Sequence, residues 1–121
     1  MTLDDDAADR LFAPLGRLAQ EMAAVAYLDG RRGLLGLRYL AGATDWLRLP
    51  IRLVARDALA FEARGVVLAH NHPSGHAEAS PADLAFTRRL ALCLDALEIC
   101  LLDHLIIAGG RITSLREDGY L

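Results

Sequence analysis

Hydrophobic positions along this chain change their period several times, and each change predicts an element. From about Asp4 to Glu21 the residues Leu11, Leu15, Leu18 and Met22 recur at helical spacing, with acids gathered at the start, where the helix dipole favours them. Pro14 is expected to break or kink this piece, because it has no N–H to give. Met22 to Leu28 reads as a short buried strand, turned by Asp29-Gly30-Arg31-Arg32-Gly33 into a second strand over Leu34 to Leu40, which makes a hairpin. Gly42 to Pro50 reads as loop, with Trp46 in a packing role. Helical spacing returns over Arg52 to Arg64 and meets Gly65, read as a C-terminal cap, before the apolar strand Val66-Val67-Leu68-Ala69. Ser80-Pro81-Ala82-Asp83 has the grammar of a helix start, with Ser as cap, Pro first and an acid in the first turn. A helix to about Ala96 should follow, then a strand from Ile99 to Ala108, the turn Gly109-Gly110 and a last strand from Arg111 to Arg116. The pattern predicts one α/β (α+β) domain over residues 1–121, a mixed β-sheet flanked by helices, with 1–17 as a helical lead-in.

Composition changes this picture in a few places. A chain of 121 residues buries roughly two thirds of its unfolded surface without disulfides. Its 54% hydrophobic content and mean hydropathy of +0.25 point to apolar surface used in self-association, so a homodimer is one expectation. No apolar run approaches the ~18 to 20 residues of a membrane span, and Asp4-Asp5-Asp6 is unlike the basic start of a signal peptide. A cytoplasmic location and no membrane partner are expected. Cys93 and Cys100 read as reduced core thiols, since on one continuous helix they would stand about 10 Å apart, beyond disulfide reach. The 13 basic residues, all Arg, face 16 acidic ones for a net charge of −3, which lacks the basic footprint of non-specific DNA binding. Arg52 with Arg56, and Arg88 with Arg89, read as solvated helix positions.

The chemistry is concentrated in His70-Asn71-His72-Pro73-Ser74-Gly75 and the Asp83 that follows. Two His at i and i+2 project from one side of an extended segment, and Pro73 and Gly75 supply a turn that returns an acid to them. His70, His72 and Asp83 therefore read as three metal ligands. Three nitrogen and oxygen donors leave a fourth position open, which is the arrangement of a catalytic zinc site. Iron(II) and manganese also suit two His and a carboxylate. His104, after Asp103 in an apolar strand, reads as a hydrogen-bonded histidine of the core or of the metal's outer surroundings. A zinc nucleobase deaminase needs Cys-x-x-Cys, whereas Cys93 and Cys100 are seven apart.

The segment from His70 to Asp83 resembles the metal motif of the JAB/MPN (JAMM) metallopeptidases, and its flanks resemble the bacterial RadC-type branch. The similarity runs from about Leu18 through Arg52-Leu53-Val54-Ala55-Arg56-Asp57-Ala58-Leu59, Asp83-Leu84-Ala85-Phe86-Thr87-Arg88-Arg89-Leu90 and Leu102-Asp103-His104-Leu105-Ile106-Ile107. It implies the family's cytidine-deaminase-like sheet and one Zn2+ per chain on His70, His72 and Asp83. It also implies Glu21 as the proton shuttle and Ser80 as a support for the oxyanion of a tetrahedral intermediate, on a peptide or protein substrate. Where relatives often carry an acid in the turn, this chain has His76, read as a rim residue. Ala79 replaces a frequent proline, and Leu53 stands where an acid is common. The helix-hairpin-helix-like region that usually precedes the domain does not fit in the short segment here, so DNA binding is not favoured. The expected activity is zinc-dependent hydrolysis of a peptide or isopeptide bond. Its rival is a metal-binding module, associated with protein or DNA, that has little turnover.

Overall fold

The computed structural model describes residues 1–42 and 51–121; Trp46 and most of the expected loop Gly42 to Pro50 lie outside them. The longest unbroken apolar runs take the middle of the sheet. Strands β1 (Met22–Leu28) and β3 (Gly65–Asn71) are buried on both faces, as continuous Ala/Val/Leu sequence requires. β2 (Leu34–Ala41), whose residues are half-buried or exposed, forms one edge, and β5 (Arg111–Ser114) the other, with β4 (Cys100–Ala108) beside it. The order is β2-β1-β3-β4-β5. β1 runs antiparallel to both its neighbours, whereas β3 and β4 are parallel and are joined through helix α3 (Pro81–Ala96). The expected hairpin and mixed, helix-flanked sheet are what the chain adopts.

Alternate side chains of the central strands feed two cores. On one face Val25, Tyr27, Val66 and Leu68 pack with Phe86, Leu90 and Leu94 of α3 and with Val54 and Ala58 of α2 (Ile51–Ala60). On the other, Ala24, Ala26, Val67, Ala69, Leu105 and Ile107 meet Leu3, Ala7, Ala8 and Phe12 of the N-terminal segment, which includes α1 (Asp5–Phe12). No helix among the described residues is long and apolar enough to cross a membrane.

Several expected boundaries are corrected. The N-terminal helix stops at Phe12, and Ala13–Arg17 winds as a 3-10 turn around Pro14, whose ring cannot continue the α-helical bonding. Leu18 is consequently outside the helix and 40% exposed, whereas the expected Leu15 is buried together with Leu3, Ala7, Ala8 and Phe12. α2 ends at Ala60 instead of Arg64, because Glu62 itself takes the left-handed conformation (φ 55) while Ala63 N–H donates to Ala58 C=O, closing a Schellman cap. Gly65 is then the first residue of β3, where a Cβ would come within 2.7 Å of Leu102. The last strand stops at Ser114, before Arg116. Cys93 is half-buried on α3 and Cys100 is exposed at the start of β4, so they are neither on one helix nor core thiols.

Candidate metal centre

β3 delivers His70 from inside the sheet, and His72 N–H still donates to Ile107 C=O (2.8 Å), so the extended course continues past the formal end of the strand. Both imidazoles thus lie on the α3 side. The chain then turns: Gly75 N–H donates to His72 C=O (3.0 Å) across Pro73 and Ser74, and Gly75 adopts φ 87, which glycine tolerates without strain. At the start of α3 a capping box is complete. Ser80 Oγ accepts from Asp83 N–H (3.0 Å) and Asp83 Oδ2 accepts from Ser80 N–H (2.8 Å). The same box that starts the helix therefore aims the Asp83 carboxylate.

His70, His72 and Asp83 meet as the pattern predicts, each offering a ligand atom within 4.8 Å of the others. His70 Nε2 lies 3.3 Å from Asp83 Oδ1, His72 Nε2 lies 3.2 Å from Asp83 Oδ2, and the two Nε2 atoms are 2.8 Å apart. His72 Nδ1 is 2.7 Å from the carbonyl of His76. A carbonyl only accepts, so Nδ1 carries a hydrogen, and in the neutral imidazole the Nε2 lone pair faces the carboxylate. Lone pairs that face one another in a buried place are stabilised by a cation. The donor set of two imidazole nitrogens and a carboxylate fits a divalent ion, and the three residues could hold one.

Glu21 comes from the segment before β1. Ala23 pairs with His70, so continuing the antiparallel register sets Glu21 opposite His72. Its Oε2 is buried with no hydrogen-bond partner among the described residues, a second sign that something polar belongs in this space. Burial pushes the pKa of His70 below the ordinary histidine range, against the opposing pull of Asp83 and, more weakly, of Glu21.

Two residues that sequence reasoning missed organise the surroundings. Asn71 points to the face opposite the two His. Its Oδ1 accepts from Met22 N–H (2.7 Å), and its Nδ2 donates to Leu15 C=O (3.0 Å) and Gln20 C=O (2.8 Å). The residue between the two imidazoles thereby ties down the chain on both sides of Glu21. Thr87, one turn after Asp83 on α3, bonds to the Asp83 carbonyl (2.6 Å) and to His104 Nδ1 (2.6 Å). His104 is fully buried, and its Nε2 lies 2.7 Å from His70 Nδ1. Desolvation holds its pKa well below the usual range. A polar residue inside an apolar strand, and a Thr at i+4 from an expected ligand, were the available signals.

His76 is exposed on the rim. His76-Ala77-Glu78 has the His-x-Glu spelling of nucleobase deaminases, but among the described residues the group able to hold a metal is His70, His72 and Asp83. Next to it a polar cleft of about 460 Å³ runs between the Gly75 to Ala79 turn and β5, with Arg111, Thr113 and Tyr120 in its wall. Thr113 pairs with Ile106, and Ile106 with His70, so the cleft continues the row of the sheet that bears the first histidine.

A family model described as "RadC-like JAB domain" matches residues 1–120. A protein of Cellvibrio japonicus (strain Ueda107) named "UPF0758 protein" is 43% identical over 114 residues, covering 93% of this chain and 51% of the relative. Similar proteins of the same designation occur in Acidithiobacillus ferrooxidans (43% over 110 residues; 90% of this chain, 49% of the relative) and Cupriavidus pinatubonensis (41% over 122; 98% and 54%). The chain spans about half the length of the curated relatives it matches.

Proposed function

The chain belongs to the RadC-like JAB domain family, and from that premise we propose that it is a zinc-dependent hydrolase that cleaves a peptide or isopeptide bond. The observation that carries this reading is the buried Glu21 Oε2, which has no hydrogen-bond partner among the described residues and belongs to a carboxylate set opposite His72. A metal serving stability alone needs no spare carboxylate there. His70, His72 and Asp83 would hold the ion. Zinc, when bound, supplies Lewis acidity and lowers the pKa of water to about 7.

The rest falls to side chains of this chain. Glu21 takes a proton from the attacking water and returns it to the leaving amine. Ser80 Oγ accepts the Asp83 N–H as a helix cap, so its own hydroxyl proton can be donated to the developing oxyanion. The polar cleft along Arg111 and Thr113 gives an extended peptide a path beside the ligands. A net charge of −3 favours a protein over DNA as the partner, with DNA binding weak at physiological salt.

Changing Glu21 to Gln tests the assignment, since shape is kept and the base is removed. Zinc content and melting temperature should hold, while turnover of a peptide found by a fragment-library screen should fall by about 10² to 10⁴. Unchanged turnover in Glu21→Gln would overturn the shuttle role, and loss of zinc would make Glu21 a fourth ligand.

A further inference from the structure

The hydrogen bonds behind the candidate metal centre have a direction, and that direction can be read from one fixed end. The carbonyl of Asp83 has no proton to give, so the Thr87 hydroxyl donates to it (2.6 Å). Its single proton is then spent. At the contact with His104 Nδ1 (2.6 Å), Thr87 Oγ must therefore accept, which places a hydrogen on His104 Nδ1. A neutral imidazole holding that hydrogen presents a lone pair at Nε2, and this lone pair meets His70 Nδ1 at 2.7 Å. His70 must in turn carry its hydrogen on Nδ1, and the neutral ring then turns its Nε2 lone pair toward Asp83 Oδ1 and His72 Nε2.

We infer that Thr87 and His104 are positioning residues which fix His70 in its metal-binding tautomer through a buried relay that begins at the backbone of a second ligand, Asp83. Thr87, His104, His70 and Asp83 are all nearly or wholly out of solvent, so water does not compete for these contacts. His72 reaches the same tautomer by a different route, through the exposed His76 carbonyl. Protein groups thus turn both Nε2 lone pairs toward one point, and the two halves of the ligand set depend on separate supports. This inference rests on the metal-binding part of the reading above and is independent of turnover.

The test is the histidine tautomer itself, read by ¹⁵N NMR in metal-free protein at about pH 8, above the ordinary imidazole range. The isosteric Thr87→Val removes the acceptor for His104 Nδ1–H. His104 should then switch its hydrogen to Nε2, and His70 should appear with its hydrogen on Nε2. Thr87→Ser keeps the hydroxyl and should keep the wild-type tautomer. In zinc competition against a chelator, Thr87→Val should bind about 10- to 100-fold more weakly, the usual share of a ligand's hydrogen-bond support, and Thr87→Ser like wild type. Should the valine variant fold poorly, Thr87→Ala removes the same acceptor. A valine or alanine variant that leaves the His70 hydrogen on Nδ1 would overturn the relay. Wild-type protein that binds no zinc would overturn the proposed function, while the tautomer measurement would still judge the relay.

Discussion

Two polar clusters sit near opposite ends of β1, and they differ in whether the protein completes them. Near Tyr27, the Asp57 carboxylate accepts from the Tyr27 hydroxyl (2.9 Å), from Arg38 Nε (2.5 Å) and from Arg38 Nη2 (3.0 Å), so an anion meets a cation and a phenol. Near Ala23, the carboxylate of Asp83 accepts from Ser80 N–H (2.8 Å) and faces Nε2 of His70 and of His72, and Glu21 adds a buried acceptor oxygen with no hydrogen-bond partner among the described residues. Both aspartates are buried. A cluster that closes its own account of donors and acceptors is a structural device, whereas one that collects acceptors could hold a cation. Counting donors separates them where burial does not.

The sharpest way to break this contrast is to remove one metal ligand. His72→Ala should weaken zinc binding more than about 100-fold, beyond what outer partners contribute, while leaving the metal-free melting temperature nearly unchanged. Elemental analysis and a thermal melt check both halves of that statement. Asp57→Ala should do the opposite. Zinc content should stay intact while stability falls by about 2 kcal/mol, less than for a fully buried pair because half-exposed Arg38 remains solvated. The same carboxylate predicts a pH dependence. Hydrogen bonding to Arg38, then to Tyr27, holds the folded pKa of Asp57 below its ordinary value. Its contribution is therefore full above about 3.9, the unfolded value, and is lost as pH falls through the lower folded one. Asp57→Asn should remove that part of the acid slope in a denaturation series. The smallest effect, about 1 to 2 kcal/mol, is expected for Asn71→Ala, which unfastens the Glu21 segment and leaves Met22 N–H without its acceptor. Faster hydrogen exchange at Met22 with zinc binding retained would mark Asn71 as a tether and not a ligand support.

How far the sequence could be read depended on the range of the cause. β1 and β3 were legible because a fully buried strand is a continuous apolar run, and Asp83 because Ser80 and Pro81 announce the turn that aims it. The end of α3 was legible too, at Ala96, but that of α2 was harder, because Glu62 takes the left-handed cap conformation that glycine would have advertised, at φ 55. The N-terminal helix was overextended because Leu11, Leu15 and Leu18 keep helical spacing across a proline that ends it. Asn71 and Thr87 were missed for a different reason. Their partners lie 49 to 56 residues away for Asn71, and 17 for the Thr87 contact with His104, and no local pattern encodes such pairings.

That separation in the chain has a consequence for the order of assembly. His70, His72 and Asp83 lie within one strand end, one turn and one helix start, a short loop whose closure costs little entropy. Glu21 arrives from the far side of a 49-residue gap and is fastened only when Asn71 grips the backbone on either side of it. A chain that has formed its β3–α3 corner but not yet docked β1 could already gather a metal ion while lacking the carboxylate assigned to move protons. On the proposed roles, the newborn protein would pass through a loaded but inert stage, and hydrolytic competence would be the last property the fold acquires.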